Sequence, residues 1–257
     1  MRQLLPFLLV LLSLSACERG ANHSADTQTL SVGRALGTQV DAGFERAYAA
    51  RSFEFPRDHG PHPGFATEWW YFTGNLQGDG GRRFGYQLTL FRVGLVPPGR
   101  EKDSDWRSHQ LYMGHAAVSD VEHARHYSEE RFSRAALGMA GAETGPLKVW
   151  LGPWRIEGAE EGAFPLRLTA SGEELAFELV LEKGDKPVVL QGEKGLSQKG
   201  AQAGNASYYY SHTRLPTRGT IRIGEHRFEV SGSSWFDREW SSSALDATQA
   251  GWDWFAL

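Results

Sequence analysis

Cysteine is all but missing from this chain: Cys17 is the single one in 257 residues. One thiol leaves no partner for an internal disulfide and excludes the paired-cysteine spacings that close a zinc site. Long apolar runs are confined to Leu4–Leu14, a stretch too short to span a bilayer as a stable helix. Charge of one sign is not in excess either, because 27 basic and 31 acidic residues give a net charge of −4 with no basic block that could track phosphates. A nucleic-acid partner is therefore not expected. No Gly-x-Ser-x-Gly elbow supplies a serine nucleophile, and no phosphate-binding glycine loop follows a strand. His59-Gly60-Pro61-His62 and His123-Ala124-Arg125-His126 have ligand-like spacing but lack further ligands to complete a site, so neither metal nor cofactor is expected.

What the chain does contain begins at its first residues. MRQLLPFLLVLLSLSAC sets one positive charge before an apolar run and small residues before Cys17, the layout of an export signal. Its ending, Leu14-Ser15-Ala16-Cys17, resembles a bacterial lipobox, in which cleavage before the cysteine is followed by lipid attachment. Residues 1–16 are expected to be a lipoprotein signal peptide and Cys17 the lipidation site, with a membrane as partner. Glu18 stands where an inner-membrane retention signal carries aspartate, so the periplasmic side of the outer membrane is the expected location. Residues 17–52 are polar and aperiodic, and read as a tether.

Across the whole chain, 40% apolar and 12% aromatic composition is enough to fill a core, and the folded part is expected to begin near Phe53. Short aromatic and β-branched runs recur between Gly, Pro and Asp clusters, the pattern of an antiparallel all-β domain. Strands are expected at 67–76, 83–93, 110–119, 147–157, 164–171, 174–183, 206–214, 218–223 and 226–232, with turns at 77–83 and 171–174. One segment has the helical period: Ser128 caps a helix that places Phe132, Ala135, Ala136 and Met139 on one face and ends at Gly141. Many strands with one amphipathic helix suggest a barrel or a strongly curved sandwich.

Three clusters place acids among aromatic rings: Glu68-Trp69-Trp70-Tyr71-Phe72, Trp235-Phe236-Asp237-Arg238-Glu239-Trp240, and Trp252-Asp253-Trp254-Phe255. Strand parity puts Glu68 with Trp70 and Phe72, Trp235 with Asp237 and Glu239, and Phe236 with Arg238 and Trp240. Two readings stay open. In one, Glu68 forms a buried ion pair with Arg238 or Arg92, since an unpaired buried carboxylate costs several kcal/mol. In the other, burial raises a carboxyl pKa so that Glu68, Asp237 or Asp253 protonates an alkene, and the rings stabilise the resulting cation. The alternate hydroxyls of Tyr208 and Tyr210 either line a cavity or cover a sheet edge.

The order His62-Pro63, Thr67-Glu68-Trp69-Trp70-Tyr71-Phe72-Thr73-Gly74, Tyr209-Tyr210-Ser211-His212-Thr213-Arg214-Leu215, Trp235–Trp240 and Gly251-Trp252-Asp253-Trp254-Phe255 resembles the AttH/carotenoid 1,2-hydratase family, often labelled predicted secreted hydrolases. The resemblance implies tandem lipocalin-like β-barrels, one over 53–232 and the start of a second, truncated one over 233–257. It also implies an apolar or lipid-like ligand held by Trp70, Phe72, Tyr208, Tyr210, Trp235 and Trp252, and association with an ABC transporter permease. The enzymatic alternative it implies is a hydro-lyase adding water to an isoprenoid C=C, and the third reading is a structural barrel without catalysis.

Overall fold

Alternation of bulky and polar side chains dictates the architecture. The computed structural model describes residues 43–100 and 108–242. In chain order the strands are β1 (Thr67–Gly78), β2 (Arg83–Gly94), β3 (Gln110–Asp120), β4 (Arg125–Arg134), β5 (Ala140–Glu143), β6 (Lys148–Leu151), β7 (Trp154–Glu157), β8 (Leu166–Ser171), β9 (Leu175–Leu181), β10 (Val189–Leu190), β11 (Leu196–Gln198), β12 (Ala206–Ile223) and β13 (His226–Ser241). All pair antiparallel, in the order β4-β3-β2-β1-β13-β12-β9-β8-β7-β6-β5, with β10 and β11 along the rest of β12. The sheet curls into a nearly closed, lipocalin-like barrel. One end of the sheet, β4, reaches across to β7 and to the β8–β9 turn through side chains: Arg131 donates to the Ser171 carbonyl (3.1 Å) and lies over the Trp154 ring, while Glu129 accepts from the Glu173 amide (2.8 Å).

Apolar side chains fill the inside. Trp70, Phe72 and Leu76 of β1 face Leu88 and Leu90 of β2, Trp154 and Ile156 of β7, and Leu168 and Leu179 from the far wall, all buried. Gly74 must be glycine, because a Cβ there would stand 2.5 Å from the Tyr86 ring and 2.8 Å from the Ser233 carbonyl.

Four expectations change. The segment expected to be a helix is the edge strand β4 followed by a turn, and among the described residues the only helical turns are short 3-10 ones at Arg57–His59 and Asp79–Gly81. The large members of the apolar stripe that suggested a helix stay in solvent, Phe132 50% exposed and Met139 43%, and only the small Ala136 is buried. Instead, β4 pairs along its whole length with β3, and Leu137 and Gly138, both at positive φ, turn the chain. The proposed boundary at 232/233 falls inside β13, which continues without a break to Ser241 and is hydrogen-bonded to β1 on one side and β12 on the other. Trp235–Trp240 therefore belongs to the centre of this sheet. The tether expected up to residue 52 ends earlier, since Phe44 and Ala47 are buried and the Glu45 amide donates to the Gly64 carbonyl at 2.8 Å. The strands expected at 206–214 and 218–223 are one, with a bulge between His212 and Leu215 where Arg214 takes φ 54°.

Candidate functional site

The register across β12, β13 and β1 builds three inward rows: Tyr208, Trp240 and Glu68; Tyr210, Arg238 and Trp70; His212, Phe236 and Phe72. Over these rows lies a strap of residues 43–66. Its Phe53 packs edge-on to Tyr210 (5.6 Å) and Trp240 (5.7 Å), and its 3-10 turn buries Asp58 and His59.

The first and second rows carry an ion triad. Glu68, fully buried, accepts from Nε of Arg92 through one oxygen and from the Arg238 guanidinium through the other. The His62 amide donates to both oxygens, at 3.2 and 3.0 Å. Burial alone would push the Glu68 carboxyl up, but Arg92 and Arg238, with the His62 hydrogen bond, outweigh it and hold it well below the ordinary carboxylate range. Two cations on one anion leave a positive charge, which is spread over carbonyls: Arg238 donates to Gly60 (2.6 Å) and Glu239 (3.0 Å), and Arg92 to Phe65 (2.7 Å) and His62 (3.0 Å). The Arg238 guanidinium also lies 4.1 Å from the Trp70 ring centroid. Glu68 is thus an ionised anchor and is not available as a proton donor.

The third row is different. Phe72 and Phe236 stack at 4.3 Å and His212 continues the parallel array at 6.0 Å. Around His212 stand Phe164 (5.1 Å), His59 (5.3 Å), Tyr210 (5.8 Å) and Phe55 (6.0 Å). His59 Nδ1 is 2.5 Å from the Tyr210 hydroxyl, which itself donates to the Asp58 carbonyl at 3.2 Å. Burial, with the neighbouring His212 and Arg238, pushes the His59 imidazole down to about 3. Burial and then Lys183 take His212 to about 4, so both rings are neutral at pH 7. Burial likewise holds the Tyr210 hydroxyl well above its usual range. Nε2 of His212 is buried and has no hydrogen-bond partner among the described residues. Leaving such an atom unmatched costs about 1–3 kcal/mol.

The remaining candidates lie elsewhere. Trp235 and Asp237 are on the opposite face of β13, because odd-numbered residues there point outward while Phe236, Arg238 and Trp240 point in. Asp237 is nonetheless buried, accepting from Trp235 Nε1 (2.6 Å) and from the Ser211 hydroxyl, and burial raises its carboxyl against those two bonds. Next to it, Glu239 pairs with Lys199 at 2.7 Å. Tyr208, half-buried, donates to the Ala49 carbonyl of the strap at 2.9 Å. Cys17, Trp252 and Asp253 lie outside the described residues. The structure therefore brings Glu68, Arg238, Trp70, Phe72, Tyr208 and Tyr210 together and separates them from Asp237 and Trp235. It adds His59 and His212. His212 shares strand parity with Tyr208 and Tyr210, a signal that the sequence carries, whereas the place of His59 depends on the fold of the strap. Asp58 pairs with Arg51 (2.9 Å) and His62 (3.2 Å), and no group of residues that could hold a metal ion is found among the described residues.

A nearly closed antiparallel barrel with an inward triad of Glu68, Arg92 and Arg238 places the chain among lipocalin-like barrel proteins. Within that class the chain belongs to the AttH-like family, whose sequence model matches residues 46–257. The crystal structure of a candidate AttH from Nitrosomonas europaea is 35% identical, with a TM-score of 0.66, over 77% of this chain and 58% of that one. Kievitone hydratase from Nectria haematococca shares the fold at 12% identity and a TM-score of 0.56, over 82% of this chain and 58% of that one. The chain thus spans 58% of the length of these two structures. No curated protein matches it.

Proposed function

We propose that this AttH-like chain is an exported lipoprotein, anchored through Cys17 on the periplasmic side of the outer membrane, whose barrel binds an apolar or lipid-like ligand alongside an ABC transporter permease. The observation that carries the binding reading is the aromatic surround of His212, where a buried, unmatched nitrogen sits among Phe55, Phe164, Phe236 and His59. Ligand sites combine apolar walls with few polar groups. Phe55 is 41% exposed, so the imidazole lies one side chain below the surface. The test is fluorescence titration with N-phenyl-1-naphthylamine, together with native mass spectrometry of protein purified from membranes. Saturable dye binding and a copurified apolar molecule are expected, and the absence of both overturns the reading. The anchor is tested by Cys17→Ser, which is expected to move the protein from the membrane to the soluble fraction.

One observation favours a second, enzymatic reading: Asp237 is buried, raised in pKa and flanked by Trp235. In a hydro-lyase cycle its carboxyl would protonate an isoprenoid C=C, water would add to the carbocation, and the proton lost from that water would return to the carboxylate. Asp237→Asn is expected to abolish hydration of an acyclic isoprenoid with a terminal C=C, and unchanged turnover overturns this reading.

A further inference from the structure

The charge accounting around His212 narrows the chemistry of the ligand. The charged groups of the neighbouring rows are already engaged: Arg238 and Arg92 share Glu68 and spend their remaining N–H groups on backbone carbonyls, and Asp58 is held by Arg51 and His62. The His59 ring is tied to Tyr210 at 2.5 Å. Lys183 also faces His212, from the exposed surface. The walls are otherwise aromatic, and a carboxylate or ammonium drawn against them would lose its hydration without an opposite charge in contact. The polar requirement of the site is therefore one hydrogen bond at one atom, Nε2 of His212.

We infer that this barrel end selects a neutral, apolar molecule bearing a hydroxyl group, held by that hydroxyl on Nε2 of His212; the inference rests on the ligand site proposed above. A hydroxyl both donates and accepts, so it satisfies Nε2 in either imidazole tautomer, whereas a carbonyl satisfies only the protonated nitrogen. The parallel array of His212, Phe236 and Phe72 favours a flat ring beside the hydroxyl, because offset stacking continues across all three strands. The low basicity of the imidazole agrees with this, since a neutral ring offers no charge to attract an anion.

The experiment is displacement of bound N-phenyl-1-naphthylamine at pH 7 by 2-naphthol, naphthalene and 2-naphthoate, which share one ring system and differ in the polar group. On full-length protein, 2-naphthol is expected to displace the dye at about one-tenth the concentration needed for either of the others, as for one net hydrogen bond. His212→Phe is expected to erase the preference, so that 2-naphthol and naphthalene displace the dye at equal concentrations. His212→Gln, which returns a hydrogen-bonding group, is expected to restore part of it, and far-UV circular dichroism checks that both variants fold. If 2-naphthol is no better than naphthalene, if 2-naphthoate competes as well, or if His212→Phe retains the preference, the inference is overturned while the site stands. If the dye does not bind, the site itself is refuted.

Discussion

Replacing Glu68 by glutamine removes the one anion from a buried space that also holds two guanidiniums. In the native protein Arg92 and Arg238 each lie against one Glu68 oxygen, and all three side chains are buried. Each contact at an effective dielectric constant near 20 is worth about 4 kcal/mol of attraction, and the carboxylate's own desolvation offsets several of these. Glutamine keeps one acceptor but turns its NH2 toward a guanidinium or toward the His62 amide, which is itself a donor at 3.0 Å. The carbonyls of Gly60, Glu239 and Phe65 still receive the arginines, so the loss falls short of the full Coulomb sum. A destabilisation of about 3–5 kcal/mol is expected, as when one partner of a buried pair is removed. For a domain of this size that lowers the melting temperature by about 10 °C. The assay is urea and thermal unfolding of wild type and variant at several pH values. The folded-state pKa of Glu68 is depressed, so its stabilisation is complete above the ordinary value near 4.5 and is lost as pH falls below it. The gap between wild type and variant should hold from pH 7 to about 5 and then narrow. An unchanged melting curve at pH 7, or a gap that does not narrow in acid, would refute the argument.

Other tests follow from the same geometry. Gly74→Ala pushes a Cβ to 2.5 Å from the Tyr86 ring and 2.7 Å from the Ser234 hydroxyl, so a loss of about 1–3 kcal/mol in urea unfolding is expected from overpacking. His59 and His212 have folded pKa values of about 3 and about 4, below the ordinary 6.5, so their contribution is complete above pH 6.5 and lost as pH falls toward 4. His212→Phe should therefore flatten the decline between pH 6 and 5 by about 1.4 kcal/mol per pH unit, measured from urea midpoints. Arg51→Ala removes the cation over the Phe53, Tyr208 and Trp240 rings and one partner of Asp58, and should loosen the strap, seen as faster amide exchange at residues 53–60 with little change in β8 and β9.

Much of the barrel was legible because its strands obey period two. Thr67–Gly78, Arg83–Gly94 and Gln110–Asp120 match the expected runs to within two residues at each end, since each alternates large apolar with smaller or polar side chains. β4 was not legible because edge strands need only one buried face: Tyr127, Glu129, Arg131 and Ser133 are half-buried where the other positions are exposed, so no strong apolar alternation marks the segment. Parity also told which side chains share a face around Glu68 and Arg238, whereas the choice between Arg92 and Arg238 had no local answer. The structure uses both, because β1 lies between β2 and β13. His212 was hidden for another reason. An imidazole beside three tyrosines carries no spacing signature, and its significance comes from rings contributed by the strap, by the segment before β8 and by β13.

The triad joins residues at two very different separations: Glu68 and Arg92 are 24 residues apart, Glu68 and Arg238 170. During vectorial synthesis the hairpin of β1 and β2 can form early, but its free edge stays bare and its buried carboxylate half-matched until β13 arrives. Such late, long-range closure makes assembly slow and cooperative. The barrel is therefore built so that β1 and β2 become durable only once β13, about 150 residues downstream, has been added.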